Sequence, residues 1–292
     1  KIEMQNDRIV VLPVHEVSGN AELAEGNIDF RGDIVIHGNV ESGVNIRATG
    51  SITIDGVAEA CMLEAGKDII LRGGMLGGNK ASVKTKGAIT AKFFEFTNIL
   101  CEGDLQADVL MDCSVICHGQ IRLTGRKGSI IGGKVQAIRG LIATSLGNDA
   151  EKRTEIFVGA GIDVYSRLRV MEKKIETTRE ELAKIEEGLE KFEILSKERG
   201  VSYTNDPRRT SLLRIKIKDS AMLASDEEEV RKLRILAESS RGACVSVIQE
   251  IYPGVIINMD ELKLALKNMA TGVEFYKLPD KIGTRPCSAG VE

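Results

Sequence analysis

The stretch Ile46-Arg47-Ala48-Thr49-Gly50-Ser51-Ile52-Thr53-Ile54 decides the fold class. Apolar and polar residues alternate in its two halves, which is typical of two short β-strands because successive side chains of a strand point to opposite faces. Gly50 lies between the halves, where glycine permits a sharp corner. The stretch therefore predicts two strands that meet at a turn.

The same frame of apolar and small positions recurs along the chain. Its copies begin at Ile28, Ile46, Leu63, Val83, Ile99, Val115 and Val135. The first positions advance by 18, 17, 20, 16, 16 and 20 residues, which leaves no room for a crossover helix. Two such short strands cannot bury a face alone, whereas stacked copies align their apolar positions in ladders about 4.8 Å apart. The repeats therefore predict a parallel β-helix.

Two alternative architectures fit the repeats less well. An antiparallel sandwich would be punctuated mainly by Asn-Gly and Asp-Gly hairpin turns, and these are not dominant here. Left-handed hexapeptide helices keep a strict coil of about 18 residues, while the coil length here varies from 16 to 20. We therefore predict the right-handed form. The stretch from Val14 to Asp206 contains no proline, as expected where each coil donates backbone N–H groups to its neighbour.

Two glycine-rich segments, Gly73–Gly78 and Gly128–Gly133, lengthen two of the coils. Neither contains the Gly-Lys-Ser or Gly-Lys-Thr sequence of a phosphate-binding loop. We interpret both segments as wide turns in which glycine avoids a steric clash.

A helical pattern replaces the strand pattern near residue 161. Apolar residues then follow at heptad spacing, at Leu168, Met171, Ile175, Leu182, Ile185 and Leu189. A break between Gly200 and Pro207 separates this helix from a second one, which extends from about Arg208 to Ser240. The segment predicts two helices that pack as an antiparallel coiled-coil hairpin.

These patterns divide the chain into four parts. We predict a remnant of an N-terminal region or linker at residues 1–18, the β-helix at 19–160, the coiled-coil hairpin at 161–242, and C-terminal strands at 243–292 that cap or extend the β-helix. The predicted fold class is mainly β, a right-handed parallel β-helix with an inserted antiparallel α-helical coiled-coil hairpin.

The composition limits the classes of function. The formal net charge of −3 gives no electrostatic argument for a nucleic-acid partner. No apolar run reaches the about 20 residues of a membrane span. The six cysteines do not match a disulfide scaffold or a paired zinc motif. Because no secretory signal is visible, the sequence predicts a cytoplasmic protein.

One segment has the composition of a metal site, Cys113-Ser114-Val115-Ile116-Cys117-His118. On a strand, Cys113 and Cys117 point to one face and His118 to the other. We interpret the cysteines as small buried hydrophobic residues. No metal ligand and no cofactor is predicted.

Three carboxylates share one column, because Asp33, Asp68 and Asp104 each come just before the second strand of a copy. Carbohydrate-active β-helix enzymes use such acids, but here the members skip coils and lie about 9–10 Å apart. This separation is wide for a retaining carboxylate pair. We interpret the three as acids of surface turns, and no catalytic residue is predicted.

One outward-facing column contains two apolar residues where polar ones are expected. Leu100 and Ile116 are adjacent in the predicted stack, between the first two positions of their copies. Our hypothesis is that the hairpin or another chain covers this side of the later coils. We predict a possible interface formed by Leu100 and Ile116 together with the heptad residues Leu168, Met171, Ile175, Leu182, Ile185 and Leu189.

Several segments, in this order, resemble the flagellar assembly protein A family of bacteria. They are Asn27-Ile28-Asp29-Phe30-Arg31-Gly32-Asp33, Gly128–Gly133, Thr154-Glu155-Ile156-Phe157-Val158-Gly159, the coiled-coil hairpin and Ile251-Tyr252-Pro253-Gly254-Val255. The resemblance covers about residues 15 to 282. It implies a cytoplasmic protein that is needed for building flagella, with flagellar or polar proteins as partners and no established catalytic activity. Family members usually carry a further domain before the first of these segments.

We therefore predict a non-enzymatic scaffold or adaptor that acts through protein–protein interaction, and the resemblance implies that it supports flagellar assembly. The coiled coil also offers a surface for a homo-oligomer. Two alternatives remain open. A polymer-forming cytoskeletal scaffold would need uncovered terminal coils, whereas a carbohydrate-active β-helix enzyme would need a secretion signal and a converging cluster of acids.

Overall fold

The computed structural model describes residues 2–5, 8–11, 13–123, 125, 127–200, 202–204 and 206–288. The chain divides into two compact units. The first comprises the described residues up to Gly161 and those from Ser239 onwards, and the second comprises Ile162–Glu238.

The first unit is built almost entirely of β-strands. Before the helices these are β1 (Ile2–Gln5), β2 (Arg8–Val11), β3 (Val14–Val17), β4 (Ile28–Phe30), β5 (Asp33–Ile36), β6 (Asn45–Ala48), β7 (Ile52–Ile54), β8 (Ala58–Glu59), β9 (Met62–Ala65), β10 (Ile69–Leu71), β11 (Met75–Thr85), β12 (Ile89–Ala91), β13 (Phe93–Cys101), β14 (Leu105–Gln106), β15 (Val109–Met111), β16 (Ser114–Cys117), β17 (Ile121–Leu123), β18 (Ser129–Ile131), β19 (Gly133–Ala137), β20 (Leu141–Leu146) and β21 (Thr154–Val158). The helices α1 (Gly161–Arg199) and α2 (Pro207–Ser239) follow. The last strands are β22 (Cys244–Ile251), β23 (Val255–Met259), β24 (Leu262–Ala265), β25 (Ala270–Lys277) and β26 (Ile282–Pro286).

The strands from β3 to β23 form a solenoid of about 8 turns with parallel pairing, which confirms the predicted parallel β-helix. The handedness of the coil stays a prediction. Each complete turn crosses three faces. Face A contains β4, β6, β9, the second part of β11 and β13, β16, β19, β21 and β23. Face B contains β3, β5, β7, β10, β12, β14, β17, the start of β20 and β22.

Face C is the part of the coil that the repeat frame did not reveal. It contains β8, the first part of β11 and β13, β15, β18 and the ends of β20 and β22. The interpretation of Gly73–Gly78 and Gly128–Gly133 as wide turns was therefore wrong in part. Met75 and Ile130 within them lie on strands of face C and are fully buried.

The core of the solenoid consists of ladders in which like residues stack in register. The inner ladder of face B contains Ile34, Ile52, Ile69, Ile89, Leu105, Ile121, Leu141 and Val245. Each of these is at most 1 % exposed. Every inner side chain thus contacts the equivalent side chain one turn away, which is why the sequence repeats an apolar residue at each copy.

Glycines stack at the corner between faces A and B because the backbones of successive turns approach closely there. The N–H of Gly103 donates to the carbonyl of Gly87 at 2.9 Å, and the N–H of Gly119 donates to the carbonyl of Gly103 at 3.1 Å. A Cβ at Gly103 would lie 2.6–2.9 Å from three backbone atoms of Gly87 and Ala88. No side chain fits at that separation.

The corner between faces C and A uses a different device, a residue with positive φ in turn after turn. These residues are Gly43, Ala60, Asn79, Phe96, Asp112, Gly132, Glu151 and Gly254. Left-handed backbone costs a residue with a Cβ about 1–2 kcal/mol, so the non-glycine members are held in place by the stacked turns on either side. Because five of these eight residues are not glycine, a search for repeated glycines does not reveal this corner.

The helices α1 and α2 are inserted between β21 on face A and β22 on face B. In the preceding turns the same corner is a short glycine-containing link, such as Ile138-Arg139-Gly140 between β19 and β20. The two helices confirm the predicted pair, with the break at the predicted place. The solenoid begins at β3, inside the segment that the sequence predicted as a remnant or linker.

The C-terminal strands both extend and cap the solenoid. Strands β22 and β23 continue faces B and A in parallel. Their outer edges then pair antiparallel with β25 and β24, and β26 pairs with β25. The side chain of Phe275 on β25 is 1 % exposed and covers the end of the core.

Stacked glycines at the corner between faces B and C permit a matched stability test. A Cβ at Gly38 would lie 2.6 Å from the carbonyl carbon and oxygen of Gly19, whereas a Cβ at Gly19 would meet no described atom within 4 Å. We expect Gly38→Ala to lower the free energy of unfolding by about 2 kcal/mol, since the backbone must shift. Gly19→Ala should change it by less than about 0.5 kcal/mol.

Urea denaturation followed by circular dichroism at a β-sheet wavelength would measure both variants. Equal effects of the two substitutions would contradict the close approach of the turns at this corner.

Candidate interaction surfaces

Leu100 and Ile116 lie side by side on the outer surface of face A. Strands β13 and β16 pair these residues in register, and their side chains are 37 % and 43 % exposed. Their neighbours in sequence, Ile99 and Val115, point into the core. Strand alternation therefore fixes the outward direction of both apolar side chains.

The outer column of face A changes character along the solenoid. In the early turns it is charged, and Arg47 donates to Glu64 at 2.8 Å across the β6–β9 pair. After Ile116 it continues with Gln136 and then Phe157, whose ring lies 4.5 Å from the ammonium of Lys134. The later turns thus present the apolar side chains of Leu100, Ile116 and Phe157, interrupted by Gln136, in a column that is charged in the early turns.

The heptad residues of α1 lie in the seam of the hairpin. Ile175 is 7 % exposed, and Leu168, Met171, Leu182, Ile185 and Leu189 are half-buried. Val230, Leu233 and Ala237 are the buried apolar residues of α2. The residues of the seam are therefore buried or half-buried between α1 and α2 of the same chain. Contact of these residues with a partner stays a prediction.

Ion pairs fix the antiparallel register of the two helices. The cross-helix pairs join Arg167 to Glu229, Glu172 to Arg234, Lys174 to Asp226, Arg179 to Glu227 and Glu186 to Lys216. The four pairs of residues 167–179 are made with residues 226–234, whereas the later Glu186 pairs with the earlier Lys216, as expected for antiparallel helices. The charges are arranged so that a shift by one turn would break these pairs.

One of these pairs has its carboxylate inside the seam, where the sequence analysis placed no charged residue. Asp226 is 8 % exposed, and its Oδ2 lies 2.7 Å from Nζ of Lys174. Thr178, 6 % exposed, lies one turn further along α1. A buried carboxylate is costly unless it is paired, so this pair specifies which residues of the two helices face one another. The signal available in the sequence for this buried position was the heptad spacing that Asp226 shares with Val230 and Leu233.

A groove of about 1040 Å³ runs between the helices on one side of the hairpin. Ile175 and Val230 line its floor, and Ile235 at its edge is 59 % exposed. Eight charged residues complete the lining: Glu172, Glu176, Glu180, Glu227, Glu238, Arg179, Arg231 and Arg234. The groove is therefore apolar at its base and negative at its rim.

The acids predicted as surface turn residues serve the stacking of the coils. Oδ1 of Asp33 accepts the backbone N–H of Ser51 at 2.8 Å, and Oδ1 of Asp68 accepts that of Ala88 at 2.7 Å. Asp104 accepts the N–H of Gln120 at 2.8 Å in the same way. Each carboxylate thus satisfies a donor of the next turn, which explains the column without catalysis.

The four cysteines of the early and middle turns are buried. Cys101 and Cys117 stack in register, and the hydrogen bond between their thiols lowers the pKa of Cys101 and raises that of Cys117. Burial raises the pKa of Cys61 to about 12 and that of Cys113 to about 11. Cys113 points into the core as predicted. Among the described residues no three His, Cys, Asp or Glu side chains are grouped to hold a metal ion.

His37 links three turns of the solenoid at the start of the corner between faces B and C. Its Nε2 lies 2.7 Å from Glu16 and its Nδ1 lies 2.9 Å from Asp55. Arg72, one turn further on, lies 3.4 Å from Asp55. The hydrogen bond with Glu16, followed by that with Asp55, raises the pKa of His37 above its usual 6.5. The sequence analysis did not predict this cluster.

Comparison with known proteins identifies the family. A family model described as the flagellar assembly protein A beta solenoid domain matches residues 13–282. This chain belongs to the flagellar assembly protein A family. The match includes both the solenoid and the inserted hairpin, and it confirms the resemblance found in the sequence. No curated protein and no solved structure matches the chain.

Neither helix has the length and apolarity that a membrane-spanning helix requires, among the residues described.

The His37 cluster predicts a pH dependence of stability. Because the pKa of His37 is higher in the folded chain than its usual 6.5, the cluster stabilises the fold fully below pH 6.5. This stabilisation is lost as the pH rises through the folded pKa. We expect Glu16→Gln to lower the pKa of His37, measured by NMR titration of its ring protons.

Glu22→Gln, which removes an exposed carboxylate that makes no described contact with His37, is the matched control and should leave that pKa unchanged. An equal pKa of His37 in the wild type and in Glu16→Gln would contradict the role assigned to Glu16.

Proposed function

We propose that this protein is a non-enzymatic cytoplasmic scaffold that supports flagellar assembly by binding other proteins. The observation that carries the proposal is the exposed apolar pair of Leu100 and Ile116 on an otherwise regular sheet face. Two large aliphatic side chains that are exposed next to each other on a sheet face form an apolar patch, and such patches mark surfaces that a partner covers. Membership of the flagellar assembly protein A family supports the biological setting.

The use of polar groups in the solenoid supports a binding role over a catalytic one. The acids of the corner column accept backbone N–H groups of the next turn. These hydrogen bonds explain why the acids lie in one column. A carbohydrate-active site needs two carboxyl groups that face one substrate, and the column provides acids that are each bound to the neighbouring turn.

The C-terminal cap favours a scaffold over a polymer built by stacking solenoids end to end. Such a polymer needs free parallel strand edges at the end of the coil. Here the outer edges of β22 and β23 are paired with β25 and β24. Further turns of another copy would have to displace these antiparallel strands.

Complementation of a deletion strain tests the proposal. We expect the wild-type chain to restore flagella and the double variant Leu100→Glu with Ile116→Glu to fail, because two carboxylates would prevent an apolar contact. The matched control is Thr90→Glu with Gln106→Glu, which places the same charges on adjacent exposed positions of face B. It should restore flagella fully.

Flagella would be counted by electron microscopy, and the level and melting temperature of each variant would be measured alongside. Full flagellation with the Leu100 and Ile116 double variant would contradict the proposed surface.

A further inference from the structure

The outer side of α2 contains a self-complementary stripe. Ile217 and Ile235 are 71 % and 59 % exposed. They are 18 residues apart, which is about five helical turns, so both lie on the same side of the helix. Ala221 and Ala224 lie between them on that side, where small side chains permit a close approach of another helix. Ile235 also lines the edge of the groove.

The charges around the groove leave a negative excess. Its arginines are neutralised, because Arg179 pairs with Glu227, Arg234 with Glu172, and Arg231 with the neighbouring Glu228. Glu176, Glu180 and Glu238 form no ion pair with the described residues. The groove therefore suits an occupant that combines a large apolar side chain with positive charge.

The first part of α2 has this chemistry. Arg208, Arg209 and Arg214 form no ion pair with the described residues, and no acidic residue occurs in α2 before Asp219. Ile217 is the most exposed large apolar side chain of this basic segment. One hairpin thus carries both the groove, near the end of α2, and a complementary segment near its start.

We propose that two copies of the chain associate through α2, antiparallel, with Ile217 of each copy seated in the groove of the other. A two-fold axis near residue 226 places Ile217 opposite Ile235 of the second copy and, at the same offset, Arg214 opposite Glu238. Both contacts occur twice, as an isologous interface requires. The two alanines lie close to the axis, where the helices come nearest.

This interface differs from the surface of Leu100 and Ile116, and neither proposal depends on the other. The heptad seam stays within each hairpin, so the dimer forms without opening the coiled coil. Each α2 then packs against α1 of its own chain and against α2 of the second copy.

Sedimentation velocity over a concentration series of the full chain tests the proposal. We expect a reversible dimer, and we expect Ile217→Glu to raise its dissociation constant by about tenfold or more, because the substitution places a carboxylate in an apolar, negatively rimmed groove. The matched control is Ile215→Glu, two residues away on another side of α2 and 44 % exposed. It should leave the dissociation constant unchanged.

A charge-reversal pair adds a second readout. Arg214→Glu alone should weaken the dimer, and Arg214→Glu combined with Glu238→Arg should restore it. Circular dichroism melts would show that each variant remains folded. A wild-type chain that stays monomeric throughout the series, or equal effects of Ile217→Glu and Ile215→Glu, would overturn the proposal.

Discussion

The hydrogen bonds between successive parallel turns set a spacing of about 4.8 Å, and the rest of the solenoid depends on that spacing. An inner side chain must pack against the equivalent residue above and below it, so each ladder accepts a narrow range of volumes. Aliphatic residues such as Ile52 and Ile69 stack well at this distance, and the chain contains no tryptophan. Where the backbone itself must pass close to its neighbour, as at Gly103, no Cβ is tolerated.

The same spacing decides what polar side chains do. Some backbone N–H groups at the corners have no partner in a neighbouring strand. A short side chain of the preceding turn can accept a hydrogen bond from such an N–H group, because successive turns are only about 4.8 Å apart. Asp33 reaches Ser51 in this way on one corner, and Asn39 reaches Val57 on another. Columns of Asp and Asn therefore arise from stacking alone. In a solenoid, a column of acids is informative about catalysis only when the carboxylates are free of such bonds.

The sequence predicted faces A and B because their strands alternate strictly and their glycine corner repeats. Face C escaped prediction for physical reasons. Its early members are single bridges, such as Val40, or the two residues of β8, too short to alternate. The corner between faces C and A depends on a positive φ, which residues as different as Phe96 and Asp112 adopt. For the hairpin, heptads revealed the seam, but a charged seam residue such as Asp226 shows its partner only in three dimensions.

The position of the insertion explains how one chain can contain two such different units. The register of β22 against β20 is held by strand pairing, so the link from β21 to β22 need only bring its ends together. Loop closure costs grow with the logarithm of length, and an antiparallel hairpin returns the chain to its starting end by its own packing. The solenoid therefore tolerates the insertion at small cost. Substitutions on the outer side of α2 then leave the ladders of the solenoid unchanged, which allows the two units to acquire different binding surfaces independently.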